Sequence, residues 1–433
     1  MIFLNSFRLN WISTDGKLIL LARIIRTFAY GSLSIVLAIY LKLSGFNDAL
    51  IGLILTSTLI NSVIFTSLAT IYADKIGRKK ILIVYAALMC ISGIIFFVSS
   101  NYVLLIISAL IGTINVTGSE TGSFLSLEQA ILPQTIKEIK KRNTLFGIYN
   151  MVGTFAMSAG VLLSGLPNVI QYYYQINNVQ SIKPLFLIYA ILGSVVLLIY
   201  LNLSNKIEIE RLNHHKDDEK RQKKTTTMTI TNETKSTAKT LSPKSKEIIT
   251  KLSALFAIDS FAGGFVIQSI VSLWFFTKFN ADLTILSYIF SIAGVLTAFS
   301  FIISTKIADR IGLINTMVFT HIPSNILIML VAFAPSFHLA IVLYLARMGL
   351  SQMDVPARQS YIVAVVNEDE RTAAAGITNI SRNVAQSISP SIAGYILQSV
   401  SFLAAPFLIG GLLKIVYDVL LYVNFKKIKP PEE

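Results

Sequence analysis

Tyr72-Ala73-Asp74-Lys75-Ile76-Gly77-Arg78-Lys79 is the stretch from which the organisation of this 433-residue chain can be read. It is a short charged loop between two long apolar runs, and it returns as Ile307-Ala308-Asp309-Arg310-Ile311-Gly312 at an offset of 235. Other pairs keep nearly the same spacing. Gly31 pairs with Gly264 at 233, and Arg142, Gly147, Asn150 and Gly165 pair with Arg371, Gly376, Asn379 and Gly394 at 229. A chain that repeats itself at one spacing contains two copies of one structural unit.

Composition says where those units live. Apolar residues make up 54% of the chain, charged residues 14%, and mean hydropathy is +0.66. Soluble domains carry about 25% charged residues. The apolar share matches what twelve spans of about 20 residues require. A water-soluble enzyme or a nucleic-acid binder is excluded, and the net charge of +14 is instead a loop bias. Apolar runs fall at 18–43, 48–72, 80–98, 102–125, 144–165, 184–203, 249–276, 283–305, 313–334, 337–355, 372–397 and 402–424. These are spans 1 to 12, and Ser108/Gly112, Gly118/Gly122 and Ala156/Gly160 have the small-xxx-small spacing of close helix packing.

Lys75, Arg78, Lys79 and Lys80 follow span 2, Lys137, Lys140, Lys141 and Arg142 follow span 4, and Lys426, Lys427 and Lys429 close the chain. The alternate loops are nearly free of basic residues, so both termini are expected in the cytoplasm, with the chain multi-pass in the cell membrane. Residues 204–247 are rich in Lys, Glu, Asp and Thr and hold no aromatic residue. They read as a cytoplasmic linker. The expected segments are an interfacial piece at 1–17, six-helix bundles at 18–203 and 248–425 on either side of the linker, and a tail at 426–433. His214-His215 in the linker reads as solvated, the lone Cys90 as a packing residue, and neither a metal nor a cofactor is expected.

These residues together resemble the major facilitator superfamily over essentially the whole chain. That resemblance implies an all-α membrane fold of twelve transmembrane helices in two parallel six-helix repeats. Its most specific piece is the loop after span 2, which the family carries as Gly-x-x-x-Asp-Arg/Lys-x-Gly-Arg-Arg/Lys. Asp74, Lys75, Gly77, Arg78 and Lys79 match, and Thr70 replaces the first glycine. By resemblance the loop is a cytoplasmic latch, shared with Asp309, Arg310 and Gly312 of the second copy. Span 4 lacks the arginine that many members carry, and span 5 lacks the Gly-Pro signature of drug–proton antiporters.

A charge at mid-bilayer costs at least ~2.5–3.5 kcal/mol, so each one asks for a partner or a task. Arg23 and Arg26 of span 1, Asp259 of span 7, Arg347 of span 10 and Arg382 of span 11 fall near mid-depth. In the family, spans 1, 4, 7 and 10 line the cavity. With Gln268 these residues are the candidates for binding solute and coupling protons. Asp259 is the expected coupling carboxylate, and a permanent Asp259–arginine bridge is the competing reading. Three cations against one carboxylate suggest an anionic or amphipathic solute. Glu120, Glu128, Asp354, Arg358, Lys414 and Asp418 fall nearer the cytoplasmic end, and His321, beside Pro323, reads as structural.

The expectation is therefore a non-enzymatic secondary active transporter working by alternating access. It would be monomeric in the lipid bilayer and proton-coupled, with export of a small solute favoured over uptake. A receptor or scaffold acting through the linker, or a lipid flippase on the same fold, are the competing readings.

Overall fold

The computed structural model describes residues 11–118, 122–136, 142–208, 242–367, 370–400 and 402–428. Most of the expected linker with its two histidines lies outside the described residues, as do Glu120, Lys137, Lys140 and Lys141 and the side chains of Asp74, Lys75 and Arg142.

The chain crosses the membrane twelve times. In the first half, α1 (Thr14–Leu43), α2 (Asp48–Ile76) and α3 (Arg78–Val98) are single helices. The fourth crossing is split into α4 (Tyr102–Ile111) and α5 (Ser123–Ile131), the fifth runs from α6 (Arg142–Leu162) into α7 (Leu166–Tyr174), and α8 (Asn178–Leu201) is the sixth. In the second half, α9 (Pro243–Gly264) and α10 (Gln268–Phe279) form the seventh crossing, followed by α11 (Leu283–Ile311) and α12 (Leu313–Phe333). The tenth is split into α13 (Phe337–Leu350) and α14 (Asp354–Ala364), and α15 (Arg371–Val400) and α16 (Ala405–Phe425) complete the set. Among the described residues, nine helical stretches are long and apolar enough to span a bilayer. The fourth and tenth crossings fall short because they are broken, and α15, at 30 residues, is too rich in Ser, Asn and Gln.

Turn chemistry differs at the two ends of the bundle. At the end remote from the termini, side chains cap the helices: Asn47 accepts from Leu50 N, Asn101 from Val103 N, Asn177 from Gln180 N and Asp282 from Ile285 N, all at 2.8–2.9 Å. At the end carrying the termini, α2 turns into α3 on Gly77 alone and α11 into α12 on Gly312 alone, with φ of +110° and +85°. A side chain at either φ is strained, so the repeated Asp-x-x-Gly loop is a one-residue helical hairpin.

The run 102–125 reads as one span, but its helix stops at Ile111. Gly118 and Gly122 do not pack helices together; they take positive φ values, +78° and +113°, in the break between α4 and α5. The ends of the expected linker also carry structure. Ser204 donates to Asp15 from N (2.8 Å) and Oγ (2.6 Å), and Glu208 accepts from Arg78 N (2.7 Å) and Lys79 N (3.1 Å) at the first turn of α3. Ile12, expected in an interfacial segment, is 3% exposed and pairs with Ile136.

The linker's far end is clamped by Glu370, which accepts from Ser242 N, Ser245 Oγ (2.6 Å) and Asn367 Nδ2 (2.9 Å) at the start of α9. The Ser245 hydroxyl, then the Ser242 N–H, hold its carboxyl down from 4.5 to about 2. A depressed carboxyl contributes stability above its unfolded value and loses it as pH falls through the folded one. Glu370→Gln should therefore melt below wild type at pH 7. The gap should close between pH 4.5 and 2, and a gap that persists at pH 2 refutes this assignment.

The apolar core divides in a telling way. At the terminal end there are two separate clusters, one around Leu82, Leu132, Tyr149 and Tyr200 in the first half, the other around Leu252, Phe256, Tyr361 and Tyr417 in the second. At the far end one continuous cluster takes residues from both halves, from Leu33, Ile39 and Phe186 to Trp274, Phe290 and Phe407. The halves meet there through α2 with α15 and, by the same repeat relation, α6 with α11. A Cβ on Gly394 would lie 2.2 Å from Asp48 O, one on Gly52 2.3 Å from Pro390 O, and Ser391 Oγ sits 2.8 Å from Thr56 Oγ1. Gly394→Val should wedge this seam open without disturbing either half. Cross-linking of a Thr56→Cys/Ser391→Cys pair in a Cys90→Ser background should then fall by half or more, and unchanged cross-linking would count against the wedge.

Candidate functional site between the two helical halves

In the first half a closed ion pair sits on α1 and α5. Arg26 grips Glu128 with two bonds, Nη1–Oε1 at 2.9 Å and Nη2–Oε2 at 2.8 Å, and both residues are 0% exposed. The hydroxyls of Tyr200 and Tyr149 each donate to Glu128 at 2.6 Å, and Phe124 lies under the guanidinium at 4.4 Å. The carboxylate is thus saturated, as a buried charge must be. Arg23 lies alongside, its Nε donating to Tyr149 O (2.8 Å) and its guanidinium 3.8 Å above that ring.

The second half holds a larger and looser cluster. Asp259 of α9 accepts from Lys414 Nζ of α16 at 2.6 Å. Around it stand Arg358 of α14 (3.6 Å), His321 of α12 (3.8 Å) and Arg382 of α15 (3.9 Å). Arg358 bonds Asp354 at 2.6 Å, and His321 Nδ1 lies 2.8 Å from Asp418, which also accepts from Asn325 (2.9 Å). Arg382 donates from Nε to Ser260 Oγ at 2.9 Å. Three carboxylates face three permanent cations, so the cluster is neutral when the histidine is. The side chains of Arg382 and Lys414 are 28% and 11% exposed, whereas the first-half pair is sealed.

The two clusters are related by the repeat with their signs exchanged. Asp259 stands at the repeat position of Arg26 (offset 233), and Arg358 at that of Glu128 (offset 230). What is a tight bidentate pair in one half is a 3.6 Å contact in the other, because Asp259 turns to Lys414 and Arg358 to Asp354.

Gln268 stands apart from both clusters. It opens α10, and its Nε2 donates to Ser34 Oγ across the halves at 2.9 Å. Ser269 Oγ reaches Ser34 O (2.7 Å), Ser272 Oγ reaches Ile35 O (2.9 Å), and Ser269 N bonds Val116 O in the break of the fourth crossing (3.2 Å). The two broken helices satisfy each other's backbone, and these bonds close the far end over the middle of the molecule. Beside them, a small polar pocket is lined by Tyr30, Thr58, Asn61, Thr113, Asn115 and Thr117 among others.

Arg347, one turn before the break in the tenth crossing, is 8% exposed. Its Nε has no hydrogen-bond partner, and its Nη1 lies 3.3 Å from Met348 Sδ. Of the loop residues, Arg78 Nη1 donates to Ala130 O (3.2 Å) and Lys79 Nζ to Leu203 O (2.6 Å), both within the first half, while Asp309 and Arg310 are exposed.

Sequence reasoning singled out Arg26, Asp259 and Arg382 but not their partners Glu128, Lys414 and Arg358. His321, expected to be structural, lies between two carboxylates, Asp418 at 2.8 Å and Asp259 at 3.8 Å. One signal was present: a carboxylate and an arginine at the same repeat position, 128 and 358.

Fold and site define a helical membrane carrier of two like halves around a polar, charged middle. The chain belongs to the Major Facilitator Superfamily, whose model matches residues 19–353. It is 26% identical over 426 residues to YJR124C, an uncharacterized membrane protein of Saccharomyces cerevisiae, covering 95% of this chain and 94% of that one. Among solved structures it is similar to a D-xylose-proton symporter (TM-score 0.70, 15% identity, 96% and 97% of the two chains). It is also similar to the nucleoside transporter NupG (TM-score 0.69, 16% identity, 95% and 99%). At such identities the likeness is one of fold.

Proposed function

We propose that this chain is a proton-coupled secondary active transporter for a small solute, working by alternating access as a monomer with both termini in the cytoplasm. The observation that carries this reading is the divided core: one continuous cluster at the far end, two separate clusters at the terminal end. Two rigid halves hinged at one end and parted at the other are the geometry of a carrier open to one side. The bonds from Ser34 and Ile35 to α10, and from Thr56 to Ser391, are those that must break for the opposite opening. The exposed Asp309 and Arg310 are free to form the latch on that excursion.

Proton coupling is assigned to the second-half cluster. It is partly open to solvent and charge-balanced, and it sets a histidine between two carboxylates. The test is purified protein in liposomes loaded with a pH-sensitive dye, challenged with gradients of xylose, uridine, benzoate, succinate and glucose 6-phosphate. A solute gradient should move protons, and the sign of the change separates cotransport from exchange. Labelled solute that crosses with no proton movement at any pH would remove the coupling, and folded protein that exchanges none of the panel would remove the transporter.

A further inference from the structure

A guanidinium buried in a membrane bundle costs several kcal/mol unless something pairs with it. The molecule meets that cost with dedicated partners elsewhere, Glu128 and the Tyr200 hydroxyl for Arg26 and Asp354 for Arg358. Arg347 has none. Its Nε is orphaned and one amino group rests on a thioether, a weak acceptor. Among the described residues no carboxylate pairs with it, and the buried carboxylates of the second-half cluster, Asp259, Asp354 and Asp418, are already engaged with other groups.

The repeat adds a second observation. At the offset of 230 that links Glu128 with Arg358, Arg347 falls opposite Thr117, next to Gly118 in the break of the fourth crossing. Gly118 has no side chain, and the space where its Cβ would point is filled by the Gln268 amide from the other half, whose Oε1 would be 1.8 Å away. The first half therefore meets this end of its break with a neutral protein group bonded to Ser34. The second half has near that register an arginine whose Nε has no protein partner and whose Nη1 meets only a thioether. A planar fork of N–H donors matches a carboxylate or a phosphate.

We infer that the transported solute carries an anionic group, a carboxylate or a phosphate, that binds Arg347 near mid-membrane. This rests on the transporter reading above and names the chemistry of its solute. The inference accounts for an arginine that weakens the empty protein: the missing partner arrives with the solute.

The experiment is thermal unfolding of the full-length protein in detergent, wild type against Arg347→Met, Arg347→Gln and Arg347→Lys. The probes are benzoate, succinate and glucose 6-phosphate, with xylose and uridine as neutral controls. Without ligand, Arg347→Met should melt above wild type, because an uncompensated charge has been removed. At least one anion should raise the melting temperature of wild type, with affinity at least tenfold weaker in Arg347→Gln and intermediate in Arg347→Lys. Carboxylates and the phosphate ester separate the two anion chemistries. A ligand-free Arg347→Met that melts below wild type would overturn the inference, since it would reveal a structural partner. So would an anion that shifts wild type and Arg347→Gln equally. Xylose or uridine stabilising and crossing with wild type and variant alike would sink the anionic solute while leaving the transporter standing.

Discussion

Glu128→Leu, made alone, should cost about 3–5 kcal/mol, enough to deplete folded protein on gel filtration of a detergent extract. The cost arises from what is left behind. Arg26 is 0% exposed, so without Glu128 its charge stays buried with its carboxylate counter-ion gone, while Nη1 still donates to the Tyr200 hydroxyl at 2.6 Å. The hydroxyls of Tyr149 and Tyr200 lose their acceptor as well. Adding Arg26→Met to Glu128→Leu removes the stranded charge, so the double variant should recover most of the lost stability. Replacing a buried pair by apolar residues of similar size is often close to neutral. Glu128→Gln should fall between, keeping an acceptor but no charge. The rescued double variant should also retain proton-linked transport, because this pair is sealed from both clefts and has no group free to exchange a proton. A stable single variant, or a double variant no better than the single, would show that the pair does not hold the first half together.

The large features were legible because they depend on length and order alone. Apolar runs of spanning length, the Asp-x-x-Gly hairpins at Gly77 and Gly312, and the offsets near 230 need no knowledge of which side chain faces which. Helix breaks were less legible. Gly118 and Gly122 lie in a stretch that Ile114 and Val116 keep apolar, and small residues in an apolar run look the same whether they pack helices or end one. Charge partners were the least legible. Glu128 lies 102 positions from Arg26 and Lys414 lies 155 from Asp259, and only the rotation of each helix brings them together. Asp259 therefore looked like the lone acid among cations, when acids and bases from five helices balance around it. His321 next to Pro323 carried no hint of Asp418 at 2.8 Å. What the sequence did contain, in hindsight of the geometry, was the sign exchange at positions 26/259 and 128/358.

That exchange bears on Asp259→Asn, the variant with the largest expected effect on function. Uphill, proton-driven accumulation should drop at least tenfold, while solute-for-solute exchange across liposomes should persist. With Asp259 ionised, the second-half cluster balances Asp259, Asp354 and Asp418 against Arg358, Arg382 and Lys414. Asparagine at 259 leaves Asp354 and Asp418 against the same three cations, an excess of one positive charge. A proton on Asp259 would produce the same excess, so the variant would carry that charge state permanently. Lys414, 2.6 Å from Asp259, and Arg358 and Arg382, at 3.6 and 3.9 Å, come from α16, α14 and α15. Loosening them at once would change how those helices pack, and α15 carries the seam to α2 that opens or closes the far end. A charge change in one half can thereby bias the equilibrium between the two openings, which is what coupling requires. Adding Lys414→Met to Asp259→Asn restores the balance. It should recover any lost stability but not the proton-driven accumulation, which separates a coupling role from a purely structural bridge. Accumulation at the wild-type level in Asp259→Asn would move the proton elsewhere, and His321→Gln would then be the variant on which the coupling must fail.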